Sequence, residues 1–462
     1  MDNKVVFDKD LIRRYDTFGP RYTSYPTAVQ FTTEVGVDDY LDWVTHSNED
    51  PIPAPLSLYL HIPFCDTICY YCGCSKVITK DKSKATHYIQ LLKQEIKLQG
   101  ALFAKDRTVS QIHWGGGTPT FLSDKEIYEI IDCIHENFNV PAGDQVECGI
   151  EVDPRTVDQP RLKNLYNLGF NRISFGVQDF DSCVQQSVNR VQSTQQIKQH
   201  IIDARKLNYK SINIDLMYGL PNQSMHSFSQ TLDTTIELDP DRIAIYNYAH
   251  LPEMFKPQRR INEDELPSAE EKLNILNLCI DKLQNAGYVY IGMDHFAKQS
   301  DSLVKAQQEG SLHRNFQGYS THADCDIIAM GITAISQIGD NYSQNVRTIE
   351  EYEARLQQNK IPVFRGIELE ADDVLRREVI NQLMCNNYLD IEQLENKWRI
   401  DFNTYFKSSL NNLQEMADDG LLKISKTKLT ITTTGRLLTR SICMQFDRYL
   451  QEKDNNRFSR VI

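Results

Sequence analysis

Four cysteines, Cys65, Cys69, Cys72 and Cys74, lie within ten residues of the chain. The first three have the spacing Cys-x3-Cys-x2-Cys. Three thiolates on one short loop can bind three irons of a [4Fe-4S] cube and leave the fourth iron open to a small molecule, whereas ferredoxin spacing closes every iron. A zinc site usually takes two separated cysteine pairs, or cysteine with histidine. The spacing therefore favours an iron–sulfur cluster with one open iron over a zinc site or a chance grouping in a turn.

The elements that must position this loop alternate between strand and helix. Predicted strands are Leu56–Ile62, Gln111–Trp114, Val146–Val152, Arg172–Gln178, Ile212–Tyr218 and Arg242–Tyr248. Predicted helices between them are Ala85–Gly100, Lys125–Asn137, Gln159–Leu168, Gln195–Leu207 and Ser227–Leu238. Six such units imply a parallel sheet. The periodicity is equally compatible with a doubly wound sheet and with a full or partial barrel.

Polar residues recur where these strands end. The run Gly115–Thr120 follows the second strand, Glu151, Gln178 and Asp215 lie at or near the ends of the next three, and the run Tyr246–His250 ends the sixth. Each one alone is equally well explained as a plain turn or a satisfied carboxylate. In parallel βα architectures, however, the active site sits at the carboxyl ends of the strands. Their coincidence beside the cysteine loop therefore indicates a functional site.

The two ends of the chain have a different character. Residues 1–55 contain the Pro- and Tyr-rich segment Pro20–Pro26, which predicts an ordered arm without a regular element. The C-terminal region predicts helices Val374–Cys385, Ile391–Trp398 and Phe402–Gly420, a hairpin over Leu421–Thr432, and a further helix over Thr434–Leu450. This order resembles a winged helix. From residue 371 onward, however, 14 Lys and Arg face 13 Asp and Glu, so no basic footprint for DNA exists and a packing or lid domain is favoured.

Composition narrows the class of protein. A length of 462 residues predicts two or three domains, and 40% hydrophobic with 24% charged residues is typical of a globular enzyme. The net charge of -13 argues against non-specific nucleic-acid binding. We expect no signal peptide and no membrane span, because no apolar stretch has the required length. The other cysteines show no disulfide-like framework, which predicts a cytoplasmic protein.

The cysteine motif and its flanks resemble the radical S-adenosylmethionine (SAM) superfamily. Nearly end to end, the chain resembles one of its families, the oxygen-independent coproporphyrinogen III oxidases, or dehydrogenases, of heme biosynthesis. The segments that carry this resemblance are Pro20–Thr27, His61–Cys74, His113–Thr120, Glu151–Arg155, Phe175–Phe180, Val188–Arg190, Asp215–Pro221, Tyr246–Pro252, Phe316–Ser320 and Gly331–Ser336. The resemblance implies an α/β fold with an incomplete (β/α)6 TIM-like radical SAM barrel over residues 56–350. It also implies an N-terminal arm over 1–55 and a helical, winged-helix-like C-terminal domain over 351–462.

The resemblance also implies an activity. Members convert two propionates of coproporphyrinogen III into vinyl groups, giving protoporphyrinogen IX, after a 5'-deoxyadenosyl radical takes a hydrogen from the propionate β-carbon. The implied cofactors are a [4Fe-4S] cluster and two SAM molecules, one for each propionate. The implied partners are the substrate, a reductant such as flavodoxin or ferredoxin, and an electron acceptor that the sequence does not identify. We expect a monomer that binds no nucleic acid.

Residue roles follow from matched positions. The resemblance assigns Cys65, Cys69 and Cys72 to the cluster, while Cys74 belongs to the motif without being expected as a ligand. Positions matched to SAM binding are Tyr59, Tyr71, Gly116, Gly117, Thr118, Glu151, Gln178, Arg190, Asp215, Ala249 and Ile335. Cys74, Phe316 and Gln317 are predicted to lie near the reaction, the last two beside the second SAM or the substrate. Because glycine permits close approach and arginine forms a fork, Gly116, Gly117 and Arg190 suit the methionine part of SAM.

Four cations are candidates for the four propionates of the substrate: Arg21, Lys256, Arg259 and Arg260. Solvated surface charge is an equally good interpretation of each. Two other functions compete with the oxidase. A heme chaperone of the same family shares the cysteine motif and barrel, but the long arm and the segment Phe316–Ser320 favour the oxidase. A DNA-binding iron–sulfur regulator would depend on the winged-helix-like tail alone.

Overall fold

The computed structural model describes residues 4–450. Residues 1–3 and 451–462, the outer ends of the predicted arm and C-terminal domain, lie outside the described residues. The strands are β1 (Leu56–Ile62), β2 (Phe64–Cys65), β3 (Val77–Ile78), β4 (Val109–Gly116), β5 (Glu147–Val152), β6 (Arg172–Gln178), β7 (Ser211–Tyr218), β8 (Arg242–Asn247), β9 (Tyr288–Gly292), β10 (His295–Lys298), β11 (His313–Asn315), β12 (Gly318–Ser320), β13 (Asp326–Met330), β14 (Ile335–Ile338), β15 (Asn341–Asn345), β16 (Val363–Ile367), β17 (Tyr388–Asp390), β18 (Leu422–Ile424) and β19 (Lys428–Ile431). The α-helices are α1 (Lys9–Tyr15), α2 (Val37–Glu49), α3 (Ser83–Leu102), α4 (Asp124–Asn137), α5 (Gln159–Asn167), α6 (Ser182–Ser187), α7 (Thr194–Lys206), α8 (Met225–Leu238), α9 (Ala269–Asn285), α10 (Ser302–Glu309), α11 (Ile349–Leu356), α12 (Ala371–Asn386), α13 (Ile391–Trp398), α14 (Phe402–Tyr405), α15 (Lys407–Asp418) and α16 (Thr439–Cys443).

One sheet organises the molecule. Its strand order is β16-β15-β14-β13-β1-β4-β5-β6-β7-β8-β10-β9. The six predicted strands are β1 and β4 to β8, and they pair in parallel in chain order. The predicted α/β sheet is therefore confirmed. The sequence did not predict its two margins, where β13 joins β1 in parallel and β14 to β16, β10 and β9 add antiparallel strands.

The parallel strands bury an apolar face beneath the helices, while the inner face of β6 and β7 alternates with polar residues such as Ser174 and Asp215. In β1 every residue but Tyr59 is buried, as expected for a strand covered by helices on one side and by barrel interior on the other. The connecting helices begin at polar caps. Ser123 accepts a hydrogen bond from the backbone N–H of Glu126 at the start of α4, and the Glu126 carboxylate accepts one in return from the Ser123 backbone.

The arm is ordered over its described residues. The segment 20–26 contains no helix or strand, as predicted, but it is flanked by helices α1 and α2, which the sequence analysis missed. Asp8 starts α1 by accepting hydrogen bonds from two backbone N–H groups. The backbone N–H of Thr32 then donates to the carbonyl of Gly366 in β16, and the N–H of Gly366 donates to the carbonyl of Thr32. The arm is therefore fastened to the edge of the sheet.

The C-terminal region has the predicted order of helices and hairpin, and β17 completes a three-stranded sheet of order β17-β19-β18. Two predictions there are wrong. The helix expected over Phe402–Gly420 is divided into α14 and α15 at Phe406, and the helix expected over Thr434–Leu450 is a series of short 3-10 and α turns. Gly435 packs so closely on the Leu421 carbonyl that a Cβ would overlap it, and this contact fixes the chain where a regular helix would have begun. The predicted boundary at residue 350 stays a prediction, and β16 of the large sheet lies beyond it.

Within residues 4–450, no helix is both long enough and apolar enough to cross a membrane.

Candidate active site

A cavity of about 510 Å³ opens at the carboxyl ends of the parallel strands. All four cysteines of the cysteine loop, residues 65–74, line it. The loop leaves β1, and its base is held by the short parallel pair β2–β3, in which Cys65 lies opposite Ile78. The sequence therefore places the four thiols together by local geometry, at the sheet edge where a site was predicted.

The thiols of the cysteine loop have different environments. Burial raises the pKa of Cys65 to about 11. The hydroxyl of Thr118, which lies 3.3 Å from its sulfur, acts in the opposite direction and lowers the pKa. A hydrogen bond from the Cys74 thiol lowers the pKa of Cys72 to about 5, and Lys76 acts in the same direction. The same hydrogen bond, with burial, raises the pKa of Cys74. Cys72 is thus prepared as a thiolate, with Cys74 as its donor.

Asp153 holds two arginines against Cys69. Nη1 of Arg190 lies 3.0 Å from Oδ2 of Asp153 and 3.4 Å from Sγ of Cys69. Arg155 donates from Nε and Nη2 to the same carboxylate, at 2.9 Å and 2.6 Å, and its Nη2 lies 3.8 Å from Sγ of Cys69. Burial would raise the pKa of Asp153, but the two arginines outweigh burial and lower it. Two guanidinium groups therefore face the sulfur of Cys69 and can donate hydrogen bonds to it.

The glycine run Gly115–Gly117, at the end of β4, packs closely against the start of the cysteine loop. Gly116 has φ +113°, and a Cβ there would lie 2.7 Å from the His61 ring. A Cβ on Gly117 would lie 2.8 Å from the backbone of Pro63. The N–H groups of Gly117 and Thr118 donate to the carbonyls of Ile62 and Phe64 at 2.8 Å and 2.9 Å. Only glycine permits this approach, so the run is fixed against the start of the cysteine loop.

Two carboxylates lie on the inner wall of the barrel. Asp215 accepts hydrogen bonds from Ser174 at 2.8 Å and from Asn213 at 2.7 Å, and burial raises its pKa to about 6. Oε1 of Glu151 lies 3.4 Å from Nε2 of His113. Both carboxylates line the 510 Å³ cavity and also a deeper cavity of about 160 Å³. They therefore stand where the two spaces meet.

Most of the predicted SAM residues line the larger cavity: Tyr71, Gly116, Gly117, Thr118, Glu151, Gln178, Arg190 and Asp215. Gln178 has φ +70°, and its buried Oε1 has no hydrogen-bond partner in the described part of the chain. An acceptor held in this way is available to a ligand.

The remaining predicted residues lie around this centre. Gln317 lines the 160 Å³ cavity, and its buried Nε2 has no partner within residues 4–450. Tyr59 stacks on His113, with ring centroids 6.0 Å apart. Phe316 packs edge-on against Phe31 and Tyr342, while Ile335 begins β14, and neither lines any cavity described here. Ala249 lines a third cavity, of about 310 Å³. The roles of these residues stay predictions.

The candidate propionate cations separate into two groups. Arg21 lines the 310 Å³ cavity and pairs with Asp294. Lys256, Arg259 and Arg260 are exposed on the 3-10 helix Lys256–Arg260 and line none of the cavities described here. Of the four, Arg21 has the position expected of a binding residue.

Sequence reasoning missed several residues of the centre, chiefly Asp153, Arg155, His61 and Tyr246. Asp153 and Arg155 stand in the segment Glu151–Arg155, so a carboxylate and an arginine two residues apart at a strand end could have signalled an ion pair. Tyr246 lines both the 510 Å³ and the 160 Å³ cavities. The sequence pattern places the run Tyr246–His250 at a strand end but assigns no role to Tyr246 itself.

The donor set fits a [4Fe-4S] cluster. Three thiols from one loop line one cavity, and guanidinium groups face one of them. Within residues 4–450 no group of three or more His, Cys, Asp and Glu side chains converges closely enough to hold a single metal ion. The ligands of a cube each bind a different iron, so they do not need to meet at one point.

Comparison with known proteins bears directly on this site. The model of the Radical SAM superfamily matches residues 59–235, and the model of the HemN C-terminal domain matches residues 369–438. An oxygen-independent coproporphyrinogen III oxidase of Pseudomonas aeruginosa is 49% identical over the whole of both chains. One from Escherichia coli is 46% identical over 99% of each. The solved structure described as coproporphyrinogen III oxidase (HemN) from Escherichia coli, a radical SAM enzyme, superposes with a TM-score of 0.92, at 45% identity, over 96% of this chain and 100% of that one.

Proposed function

Since the chain belongs to the oxygen-independent coproporphyrinogen III oxidases, a family of radical SAM enzymes, we propose that it oxidises coproporphyrinogen III without O2 in heme biosynthesis. As a radical SAM enzyme it uses a [4Fe-4S] cluster and SAM. One observation carries the proposal for the site: the cysteine loop, the glycine run and the strand-end carboxylates all line a single cavity.

Cys65, Cys69 and Cys72 would hold the cluster. The guanidinium groups of Arg190 and Arg155 lie 3.4 Å and 3.8 Å from Sγ of Cys69 and would donate to a cluster ligand there. Hydrogen bonds and positive charge at the sulfurs are levers that set the reduction potential of such clusters. When bound, cluster and SAM supply reductive cleavage of the sulfonium and hence a carbon radical that takes a hydrogen atom.

The residues around the cysteine loop would hold SAM. Gly116, Gly117 and Thr118 offer close backbone approach to its methionine part, and Arg190 on the same cavity would supply positive charge to its carboxylate. Asp215 and Gln178 offer acceptors for ribose hydroxyls. Glu151, on the wall shared with the deeper cavity, and Gln317 beyond it would contact a second SAM. Two SAM molecules suit two successive oxidations, because each propionate needs its own hydrogen abstraction.

Each oxidation would convert a propionate into a vinyl group. Loss of one hydrogen atom from the β-carbon and of one electron breaks the bond to the carboxylate, which leaves as carbon dioxide. The electron passes to an acceptor that the sequence does not identify. No general base is required, so Glu151 and Asp215 would act as binding groups. We further propose that the protein is a monomer and that flavodoxin or ferredoxin reduces its cluster. We also propose a cytoplasmic location, with which the eleven free cysteines are in keeping.

The test is an anaerobic assay of the reconstituted protein with coproporphyrinogen III, SAM and a reductant. The mass of the product should fall in two steps, each by one carbon dioxide and two hydrogens, with about one SAM consumed per step because each radical starts one oxidation. Stable heme binding without carbon dioxide release would instead show a heme chaperone.

A further inference from the structure

Three arginines from distant parts of the chain converge beside the candidate active site. Arg21 comes from the arm, Arg314 from β11 and Arg440 from α16. Arg314 and Arg440 are 5% and 4% exposed. Burial and then the charge of Arg21 lower the pKa of Arg440 to about 10, and Arg314 acts in the same direction. These three residues, the arginine group, therefore bring two buried positive charges and the partly exposed charge of Arg21 together.

The three arginines differ in how far the protein satisfies their donors. Asp294 forms an ion pair with Arg21, and Arg440 donates to the backbone carbonyls of Pro20 and Gly19. By contrast, Nε and Nη1 of Arg314 have no hydrogen-bond partner among residues 4–450. The guanidinium of Arg314 lies 4.7 Å from the centre of the Tyr319 ring. Because buried arginines are normally paired and hydrogen-bonded, a planar fork with unused donors indicates an anionic ligand.

The arginine group lies next to the reaction space. Tyr246, which lines the 510 Å³ cavity, contacts His295 edge-on at 6.0 Å, and His295 contacts Tyr319 at 5.4 Å. Arg314 lies over that same Tyr319 ring. A continuous row of rings therefore leads from the cluster cavity to Arg314.

The other two arginines and Asp294 line the 310 Å³ cavity. The wall of this cavity includes the apolar side chains of Phe18, Phe296 and Leu437. Cations at the margin of an apolar space suit a ligand with a hydrocarbon body and carboxylate ends. The volume is at the lower end of the usual range of roughly 300–1,000 Å³ for ligand sites, so the cavity suits one edge of a tetrapyrrole.

We propose that the arginine group binds propionate carboxylates of the tetrapyrrole that are not reacting in a given turnover. This inference rests on the proposed function. The substrate carries four propionates and only two are oxidised, so carboxylates remain to be bound at every stage. Arg314 binds one of them through its unused donors, and Arg21 and Arg440 bind at the margin of the 310 Å³ cavity.

Arg314→Met tests the proposal, because methionine keeps the apolar stem and removes the charge and the donors. The Michaelis constant for coproporphyrinogen III should rise about 10- to 100-fold, the range for loss of a hydrogen bond to a charged group. Cluster iron, and SAM cleavage driven by reductant without substrate, should stay at the wild-type level. Arg314→Lys should recover part of the loss, because it restores the charge without the fork.

Thermal stability separates a binding role from a structural one. Arg107 is a matched control, since it is 4% exposed and its guanidinium is hydrogen-bonded to Ala54, Ser47, Asn48 and Asp326. Arg107→Met should lower the melting temperature and leave the Michaelis constant of the surviving protein unchanged. Arg314→Met should leave the melting temperature of the substrate-free protein unchanged or raise it. The stable porphyrin coproporphyrin III should raise it for wild type and not for Arg314→Met.

The outcomes distinguish the two levels of inference. Wild-type protein that releases no carbon dioxide from coproporphyrinogen III would overturn the proposed function. Active wild type, together with an Arg314→Met protein of unchanged Michaelis constant, would overturn the arginine group alone. The arginine group would also be overturned if Arg314→Met melted at a lower temperature as Arg107→Met does, or if Arg259→Gln and Arg260→Gln raised the Michaelis constant while Arg21→Met did not.

Discussion

Cys74 stands apart from the other thiols of the cysteine loop at the level of single residues. Its thiol donates to Cys72, and the Nζ of Lys76 donates to the backbone carbonyls of Cys72 and Cys74 at 2.9 Å and 3.2 Å. A serine at position 74 could donate the same hydrogen bond. The side chain thus supports a ligand without having to be one.

Iron analysis of the reconstituted variants checks this. Cys65→Ala, Cys69→Ala and Cys72→Ala should lose the cluster and all SAM cleavage, because three thiolates are needed to hold three irons. Cys74→Ser should keep about four irons per chain, as expected of one cube. If Cys74→Ser lost its iron while one of the three alanine variants kept it, the ligand assignment would be wrong.

Glu95 is a buried acid that lies away from the reaction space. Its carboxylate accepts from the backbone N–H of Gly331 at 2.7 Å, from Asn345 at 2.8 Å and from Tyr352. Burial nevertheless raises its pKa from 4.5 to about 7. It ties α3 to the loop between β13 and β14, which leads to Ile335.

The raised pKa predicts how stability depends on pH. Between pH 4.5 and pH 7 the folded state holds the proton of Glu95 more tightly than the unfolded state does. The contribution of Glu95 to the free energy of unfolding therefore falls as pH rises through that window. The total loss is at most about 3.5 kcal/mol, at about 1.4 kcal/mol per pKa unit. Urea unfolding at pH 5 and pH 8 should show a smaller difference for Glu95→Gln than for wild type. An identical difference in both proteins would refute the assignment.

At the level of elements, the glycine run at the end of β4 fixes the start of the cysteine loop. Gly117→Ala would place a methyl group 2.8 Å from the Pro63 backbone, two residues before the first cysteine. Such overpacking typically destabilises the fold by about 1–3 kcal/mol, and the chain relieves it by moving the run away from Pro63. A displaced run binds SAM less well, so we expect SAM affinity to fall about tenfold, which is about 1.4 kcal/mol of binding free energy. Gly36→Ala is the matched control, since the nearest atom to its Cβ would be 4.0 Å away. Isothermal titration with SAM under anaerobic conditions measures both, and equal affinities would contradict the role of the run.

Prediction from sequence succeeded where one local pattern decides the structure. The βα alternation placed the six parallel strands, and local spacing placed the four cysteines in one cavity. The two margins of the sheet were missed because β9, β10 and β13 to β16 are short and their pairing depends on distant neighbours. Arg314 was missed for a related reason: burial without a partner is a property of the folded chain. Lys256 was put forward on its charge alone, and its exposure could not be read from sequence.

At the scale of the whole molecule, three parts of the chain are held together by a shared apolar core. This core contains Tyr22 and Tyr25 of the arm, Ile291 of β9, Val304 of α10 and Leu383 of α12. Arm, sheet margin and C-terminal helices thus share one interior. Residues on both sides of residue 350 contribute to this core, and the boundary there stays a prediction.

We therefore expect a single unfolding transition. The chain has three tryptophans, which can be separated by substitution. Trp398→Phe leaves Trp43 and Trp114 on the barrel side, and the double variant Trp43→Phe, Trp114→Phe leaves Trp398 in α13. Urea unfolding of each variant is followed by fluorescence and, to allow for any change in its overall stability, by circular dichroism. Relative to the circular-dichroism midpoint of the same variant, the two fluorescence midpoints should be equal. Midpoints that remain apart would show that the C-terminal region unfolds alone.

The positions of the site residues along the chain bear on how the protein could evolve a new substrate. The cysteine loop, the glycine run and both carboxylates fall within residues 59–235, the segment matched by the superfamily model. The arginine group comes from positions 21, 314 and 440, all outside that segment. On the proposed assignments, cluster binding and propionate binding are encoded in different stretches of the gene. A lineage that altered only positions 21, 314 and 440 would keep the cluster site while it acquired a different substrate.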